Sequence, residues 1–238
     1  MKRILLIIAL FAIAVPGFSQ FTVKDENAEV RPAKDFTVIR ISNAFDVYLS
    51  QGNEESVAVS AASAKYLEEI FVEVKNGVLE ISYRPKNGRW TSGNRKLKAY
   101  ISFRQLDKLK VSGACDVNIV GGWKTEGARV ELSGASDLKG QLTMQKLSVD
   151  ISGASDMQVT GTVGQLDIEA SGASNFKGFD LAADYCDARA SGASDIRIHV
   201  NKELSVQASG ASDVDYKGEG HIRDIKTSGS SSVKRRNS

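Results

Sequence analysis

An all-β chain wound as a parallel β-helix, with coils of about 19 residues, is the fold class the sequence predicts. Three observations carry that expectation. The pentad Ser-Gly-Ala-Ser-Asp recurs at near-constant spacing through the second half. Apolar and polar residues alternate on both sides of every copy. The strands marked out in this way are short and hold few aromatic residues.

The pentads begin at Ser112 (with Cys115 in fourth place), Ser133, Ser152, Ser171 (with Asn175 in fifth place), Ser191 and Ser209, and a worn copy begins at Ser228. Their spacings are 21, 19, 19, 20, 18 and 19 residues. Ser42-Asn43-Ala44-Phe45-Asp46 is a degenerate early copy. Self-similarity at a fixed period of this length is the mark of a solenoid. Before the copy at Ser152, Leu147, Val149 and Ile151 interleave with Ser148 and Asp150. After each copy comes an apolar residue (Val117, Leu138, Met157, Phe176, Ile196, Val214) and then a polar one. Period two means half-buried strands. Each repeat is therefore expected to hold two short strands joined by the pentad as a corner. Gly supplies the unusual backbone angles there, and Ser and Asp bond to the local backbone.

Three architectures suit such a repeat. An outer-membrane barrel needs strands of about ten residues with lipid-facing bands and aromatic girdles, which this sequence lacks. A leucine-rich solenoid needs a regular Leu framework with Asn or Cys at a fixed place, also absent. The β-helix alone explains why small residues recur at the same places: stacked coils, roughly 4.8 Å apart, bring each Ser, Gly and Ala over its counterpart. The same stacking puts Cys186 in the apolar column of Leu147, Leu166 and Leu204 and Cys115 in a corner about four coils away. That is roughly 19 Å, too far for a disulfide, which needs Cα atoms within about 7 Å.

The first half is less regular. Residues 36–60 carry two or three strands, and 61–70 a short helix. Residues 71–83 form a hairpin with Asn76-Gly77 at its turn. Residues 84–96 form a basic loop around Trp90, and 97–103 a strand that feeds the coil. The pentads at Ser42 and Ser112 lie 70 residues apart, which is not a whole number of coils, so an insertion or cap interrupts the stack.

Residues 1–20 combine a basic start (Lys2, Arg3), an apolar stretch from Ile4 to Val15 and a small residue before a cut after Ser19 or Gln20. That describes a secretory signal peptide. The stretch falls short of the roughly 20 apolar residues of a membrane span, and no later segment supplies one. The signal has no Cys to carry a lipid anchor. The expected divisions are a signal at 1–20, a linker at 21–35, an irregular β-rich part at 36–110, regular coils at 111–232 and a disordered basic tail at 233–238. The expected location is the periplasm, the outer-membrane surface or the extracellular space. The formal net charge of +2 falls to near zero once the signal leaves. This disfavours a nucleic-acid partner.

The signal peptide, the strand Phe36-Thr37-Val38-Ile39-Arg40-Ile41-Ser42 followed by Phe45-Asp46-Val47-Tyr48-Leu49-Ser50-Gln51-Gly52, and the tandem Ser-Gly-Ala-Ser-Asp corners resemble the putative auto-transporter adhesin family of Bacteroidetes, the head GIN domain. The resemblance covers roughly residues 36–220. It implies a right-handed parallel β-helix in the cell envelope, and it supplies no catalytic residues to carry over.

Candidate sites are few. His199 and His221 are the only histidines, neither with an identifiable partner for a catalytic triad, and no clustered ligands suggest zinc. No cofactor or metal is therefore expected. The Asp column (Asp116, Asp137, Asp156, Asp195 and Asp213, with Asn175 inside it) could offer oxygen ligands to Ca²⁺. The favoured role is structural, each Asp closing its own corner, because Asn does that equally well. Glu131, Asp150, Asp167, Glu169 and Asp187 point outward before the corners, and Lys139, Lys177 and Arg197 after them. Trp90, with Arg84, Lys86, Arg89, Arg95 and Lys96, is a candidate to stack on a sugar or seat an acidic partner. Two functions follow. One is a non-catalytic envelope module that binds an envelope or extracellular polysaccharide or protein, with homo-oligomerisation open. The other is a β-helical polysaccharide lyase or hydrolase. Repeats of 18 to 21 residues leave no room for the long loops that build a catalytic cleft, which favours binding.

Overall fold

The computed structural model describes residues 25–86, 88 and 94–237, so the expected signal peptide, Arg89 and Trp90 lie outside the described residues. The described chain begins with β1 (Glu29–Arg31), β2 (Val38–Asn43), β3 (Phe45–Gln51) and β4 (Ser56–Ser60). A one-turn helix, α1 (Ala64–Leu67), leads into β5 (Ile70–Lys75) and β6 (Val78–Tyr83). Then come β7 (Leu97–Phe103), β8 (Lys108–Gly113) and β9 (Asp116–Val120). The regular coils are β10 (Trp123–Gly134), β11 (Asp137–Ile151), β12 (Asp156–Ala170), β13 (Asn175–Ala190) and β14 (Asp195–Ala208). The last coils are β15 (Asp213–Lys217), β16 (His221–Thr227) and β17 (Ser232–Arg235).

From β8 onward each coil lies parallel on the one before, in the register the repeats predict. Leu147 pairs with Leu166, Leu166 with Cys186 and Cys186 with Leu204. Val149, Ile168, Ala188 and Val206 form the neighbouring inward column. These columns make one continuous core, with Ile168 buried and Glu169 exposed. Both cysteines are buried and free.

The expectation of two short strands per repeat needs correcting. β11 to β14 are single strands of 14 to 16 residues. The strand leaving one corner runs unbroken into the strand entering the next. The second bend of the coil lies inside that run, where the burial phase slips: after Met144, both Gln145 and Lys146 face outward before Leu147 turns in. Hydrogen bonding to the neighbouring coils continues on both sides of the bend, which keeps it a strand. The terminal basic run is a second correction. Lys234 and Arg235 belong to β17, which pairs with β15; it is an extended, paired strand rather than a disordered tail. A third correction is β1, a strand that falls within the expected linker.

The first half differs most from its expectation. The early pentad is not separated from the stack. Ser42 pairs with Ser112, Asn43 with Gly113 and Asp46 with Asp116, so the β2–β3 coil sits directly beneath the β8–β9 coil. The intervening residues form a coil on its far side: β6 pairs with β2 and β7 with β3, all parallel. β7 thus lies beneath β3 instead of feeding the next coil. The coil order in space is β6–β7, β2–β3, β8–β9, and the chain reaches the third level by passing the second. Antiparallel strands finish this end, with β5 on β6, and β4 then β1 on β7. The 76–77 turn has the positive φ at both Asn76 and Gly77 that a tight hairpin requires.

Candidate binding surface

The corner is built around its fourth residue, which the sequence pattern did not single out. Ser136, Ser155, Ser174, Ser194 and Ser212 are completely buried. The Ser174, Ser194 and Ser212 hydroxyls each donate at 2.9 Å to the carbonyl of the first Ser of their own pentad. This closes the corner with a satisfied buried polar group. The Gly before it takes positive φ at every copy. At Gly153 an added Cβ would stand 2.4 Å from the Gly134 carbonyl oxygen of the coil below. Cys115 replaces the buried Ser in the lowest regular corner, and burial pushes its thiol up to about 11. The Cys186 thiol is raised further, again by burial. Neither thiol is placed to act as a nucleophile at neutral pH.

The Asp column stands in register, Asp116, Asp137, Asp156, Asn175, Asp195, Asp213, one residue per coil. The side-chain bonds of Asp156, Asn175 and Asp213 run between coils. The Asp156 carboxylate accepts from Asn175 Nδ2 at 2.6 Å and from Lys177 Nζ at 2.5 Å. Burial raises its pKa, but the Lys177 and Asn175 contacts outweigh that and hold it below the ordinary aspartate value. Asp213 accepts from the Ser232 hydroxyl. Among the described residues no three His, Cys, Asp or Glu side chains gather closely enough to hold a metal ion.

The basic-loop candidates have internal partners. Arg84 pairs with Glu80 at 2.6 Å and lies over the Phe71 ring, 3.3 Å from its centroid. Lys86 pairs with Glu68 at 2.7 Å. Arg95 sits over the Tyr66 and Tyr83 rings, and Lys96 takes positive φ beside it. The described part of this loop therefore packs the end of the solenoid. The acidic face is also more mixed than the sequence suggests. Glu131 is surrounded by Lys108, Arg129 and Lys110 at 2.6, 2.9 and 3.3 Å. These contacts, Lys108 first, hold its carboxyl down to about 2. His221 meets Glu203 at 3.3 Å.

A groove lies elsewhere, along the second bend of the coils. It encloses about 1040 Å³. Thr143 and Thr162, stacked in register above Lys124, form part of its wall with Gln141 and Gln145. Gln51 closes one end through bonds to Lys124 N–H and to the Lys124 and Arg104 carbonyls. Trp123 lies against it, buried and packed edge-on to Phe103, and its indole N–H has no hydrogen-bond partner among the described residues. At the far end Asp184 joins the lining, and the next residue, Tyr185, is 48% exposed. Lys202 sits over the Tyr185 ring and bonds Asp184 at 2.8 Å. Sequence reasoning missed this site because Thr, Gln and Gly at the bend form no conspicuous motif. The available signal was Tyr185, an aromatic at a position that faces water.

The family model described as "Putative auto-transporter adhesin, head GIN domain" matches residues 35–220. The chain belongs to this family. Among solved structures, the head GIN chain is similar to a putative adhesin from Bacteroides fragilis, with 22% identity, 88% of this chain and 96% of that one covered, and a TM-score of 0.81. It is also similar to a putative adhesin from Parabacteroides merdae, with 14% identity, coverage of 88% and 95%, and a TM-score of 0.71. A third, from Parabacteroides distasonis, is titled a putative lipid binding protein, with 18% identity, coverage of 90% and 98%, and a TM-score of 0.69. At these identities the likeness shows the shared fold. No curated protein matches the chain. Among the described residues of this head GIN protein, no helix is long and apolar enough to cross a membrane.

Proposed function

We propose that this protein is an exported, non-catalytic binding module of the cell envelope, adhesin-like, that holds a neutral polysaccharide in the groove along its second bend. The observation that carries this reading is the groove lining. Amides and hydroxyls make up most of its polar side chains, and its ionic groups balance, Arg104 and Lys124 against Glu126 and Asp184. Such a wall exchanges hydrogen bonds with a hydroxyl-rich chain and gives no strong preference for a charged one. Tyr185, half-exposed and next in sequence to Asp184 of the lining, offers a ring beside the groove for a sugar to stack on. A glycan array probed with the chain from residue 21 onward tests it. Binding to neutral glycans, lost in Thr143→Lys/Thr162→Lys and weakened about tenfold in Tyr185→Ala, supports the reading. Binding that survives both changes, or none at all, overturns it. Shortened glycan products would instead favour the lyase or hydrolase.

A further inference from the structure

We infer that the groove takes its glycan along the solenoid axis, one sugar per coil, and that the ligand class is an extended 1,4-β-linked chain. The assignment rests on the groove holding a neutral polysaccharide. Strand alternation sets its wall. Thr143 stands between the buried Leu142 and Met144, and Thr162 precedes the buried Val163, so both threonines are exposed on the groove side. Lys124, Thr143, Thr162 and Ala182 form one outward column, in register from coil to coil. Gln51 carries the lining into the coil below Lys124, to which it is hydrogen-bonded, and Asn201 of β14 carries it into the coil above Ala182. The lining therefore crosses five coil steps, a length of roughly 24 Å.

Such a wall is periodic. It offers a polar rung about every 4.8 Å, with Asp184 supplying the rung on the Ala182 coil. A ligand that uses every rung must repeat at the same interval and stay straight. A 1,4-β-linked glucan or mannan does both. Its linkages leave each ring equatorially, so the chain is a flat ribbon that advances by about one coil rise per sugar. The hydroxyls along its edges then meet Lys124, Thr143 and Thr162 in turn, and each can donate or accept. An α-linked chain of the same sugar winds into a helix and turns away from a straight wall. An extended peptide advances only roughly 3.3 Å per residue and falls out of step with the rungs.

Titration calorimetry with oligosaccharides of increasing length tests the match. The probes are cello- and manno-oligosaccharides, with malto-oligosaccharides as the α-linked control, against the chain from residue 21 onward. Affinity for a 1,4-β-linked series should rise about three- to tenfold with each added sugar. It should level off at about five sugars, where the groove ends. The malto series should bind at least about tenfold more weakly at equal length. Thr162→Arg places a bulky side chain across the exposed column and should move the plateau down to about three sugars. A malto series that binds as tightly, an affinity that ignores chain length, or a plateau that Thr162→Arg leaves in place overturns the assignment. Array binding to neutral glycans with no response from either 1,4-β-linked series overturns this assignment alone. Silence in both experiments overturns the neutral-polysaccharide reading with it.

Discussion

The coils from β8 onward and the coils before it have the same cross-section but reach it by different routes. In the first set, order in space follows order in sequence, and every corner repeats the pentad with few changes. In the second, the coil made first is sandwiched between two made later, and only one corner of two keeps a trace of the pentad. Strand pairing needs a partner at the right height, not the next segment of chain. The corner shows what strict repetition adds. Gly153 stands over Gly134, whereas Asn43 stands at the end of its ladder, above a coil whose own corner is replaced by residues 84–96. Asn43 takes φ of 89°, and its side chain accepts from Tyr83 N–H at 2.8 Å.

That contrast can be broken by exchanging the two corners' chemistry. Gly153→Ala forces a Cβ against the Gly134 carbonyl at φ of 76° and should cost about 3–5 kcal/mol. Asn43→Gly relieves the backbone and loses one acceptor, for a net cost of about 1 kcal/mol or less. Chemical denaturation of both measures the difference, and equal costs would mean that the regular corners have more room than their stacking implies.

The strand phase sets the next scale. Ile168→Asp buries an unpaired carboxylate between Val149 and Ala188 and should cost several kcal/mol. Glu169→Ala, one residue along and facing water, should stay under about 0.5 kcal/mol. Thermal melts of the pair rank them, and the reverse order would invert every inward and outward assignment in the regular coils.

The outer face sets the scale of an exposed ion-pair cluster. Glu131 has its carboxyl held down to about 2, by Lys108 first, from an ordinary value of 4.5. A depressed carboxylate adds stability that is present above the unfolded value and lost as pH falls through the folded one. Glu131→Gln should therefore cost about 1 kcal/mol at pH 7. The difference from the parent should shrink between pH 4.5 and 2. A gap that persists at pH 2 would assign the loss to packing.

The regular coils were legible because their information is local: alternation gives the face, and the pentad gives the corner and the period. Leu147, Leu166, Cys186 and Leu204 fall in one column simply by counting. Three things were hidden. The Ser at pentad position four looks like its surface neighbour at position one, and only burial tells them apart. The second bend is a phase slip at Gln145 and Lys146, two polar residues in a row, which leaves alternation looking merely imperfect. The sandwiched coil depends on pairings between Val38 and Val78 and between Val38 and Lys108, contacts no local pattern encodes. The groove inherits its obscurity from the second of these.

The sandwiched coil also fixes how this chain can be shortened and how it can grow. Take away residues from β16 onward, and β14 with β15 upon it simply becomes the end of the stack, with every lower pairing kept. Take away β6 and β7, and the β2–β3 coil loses its floor while β4 and β5 lose their only partners in the coil stack. Assembly is therefore directional. The first three coils must form together, as a non-local unit with loops to close. Once they exist, each later segment finds a finished template directly beneath it and needs nothing that has yet to emerge. For a chain delivered N-terminus first, the difficult step falls at the start, and the remaining coils form by accretion.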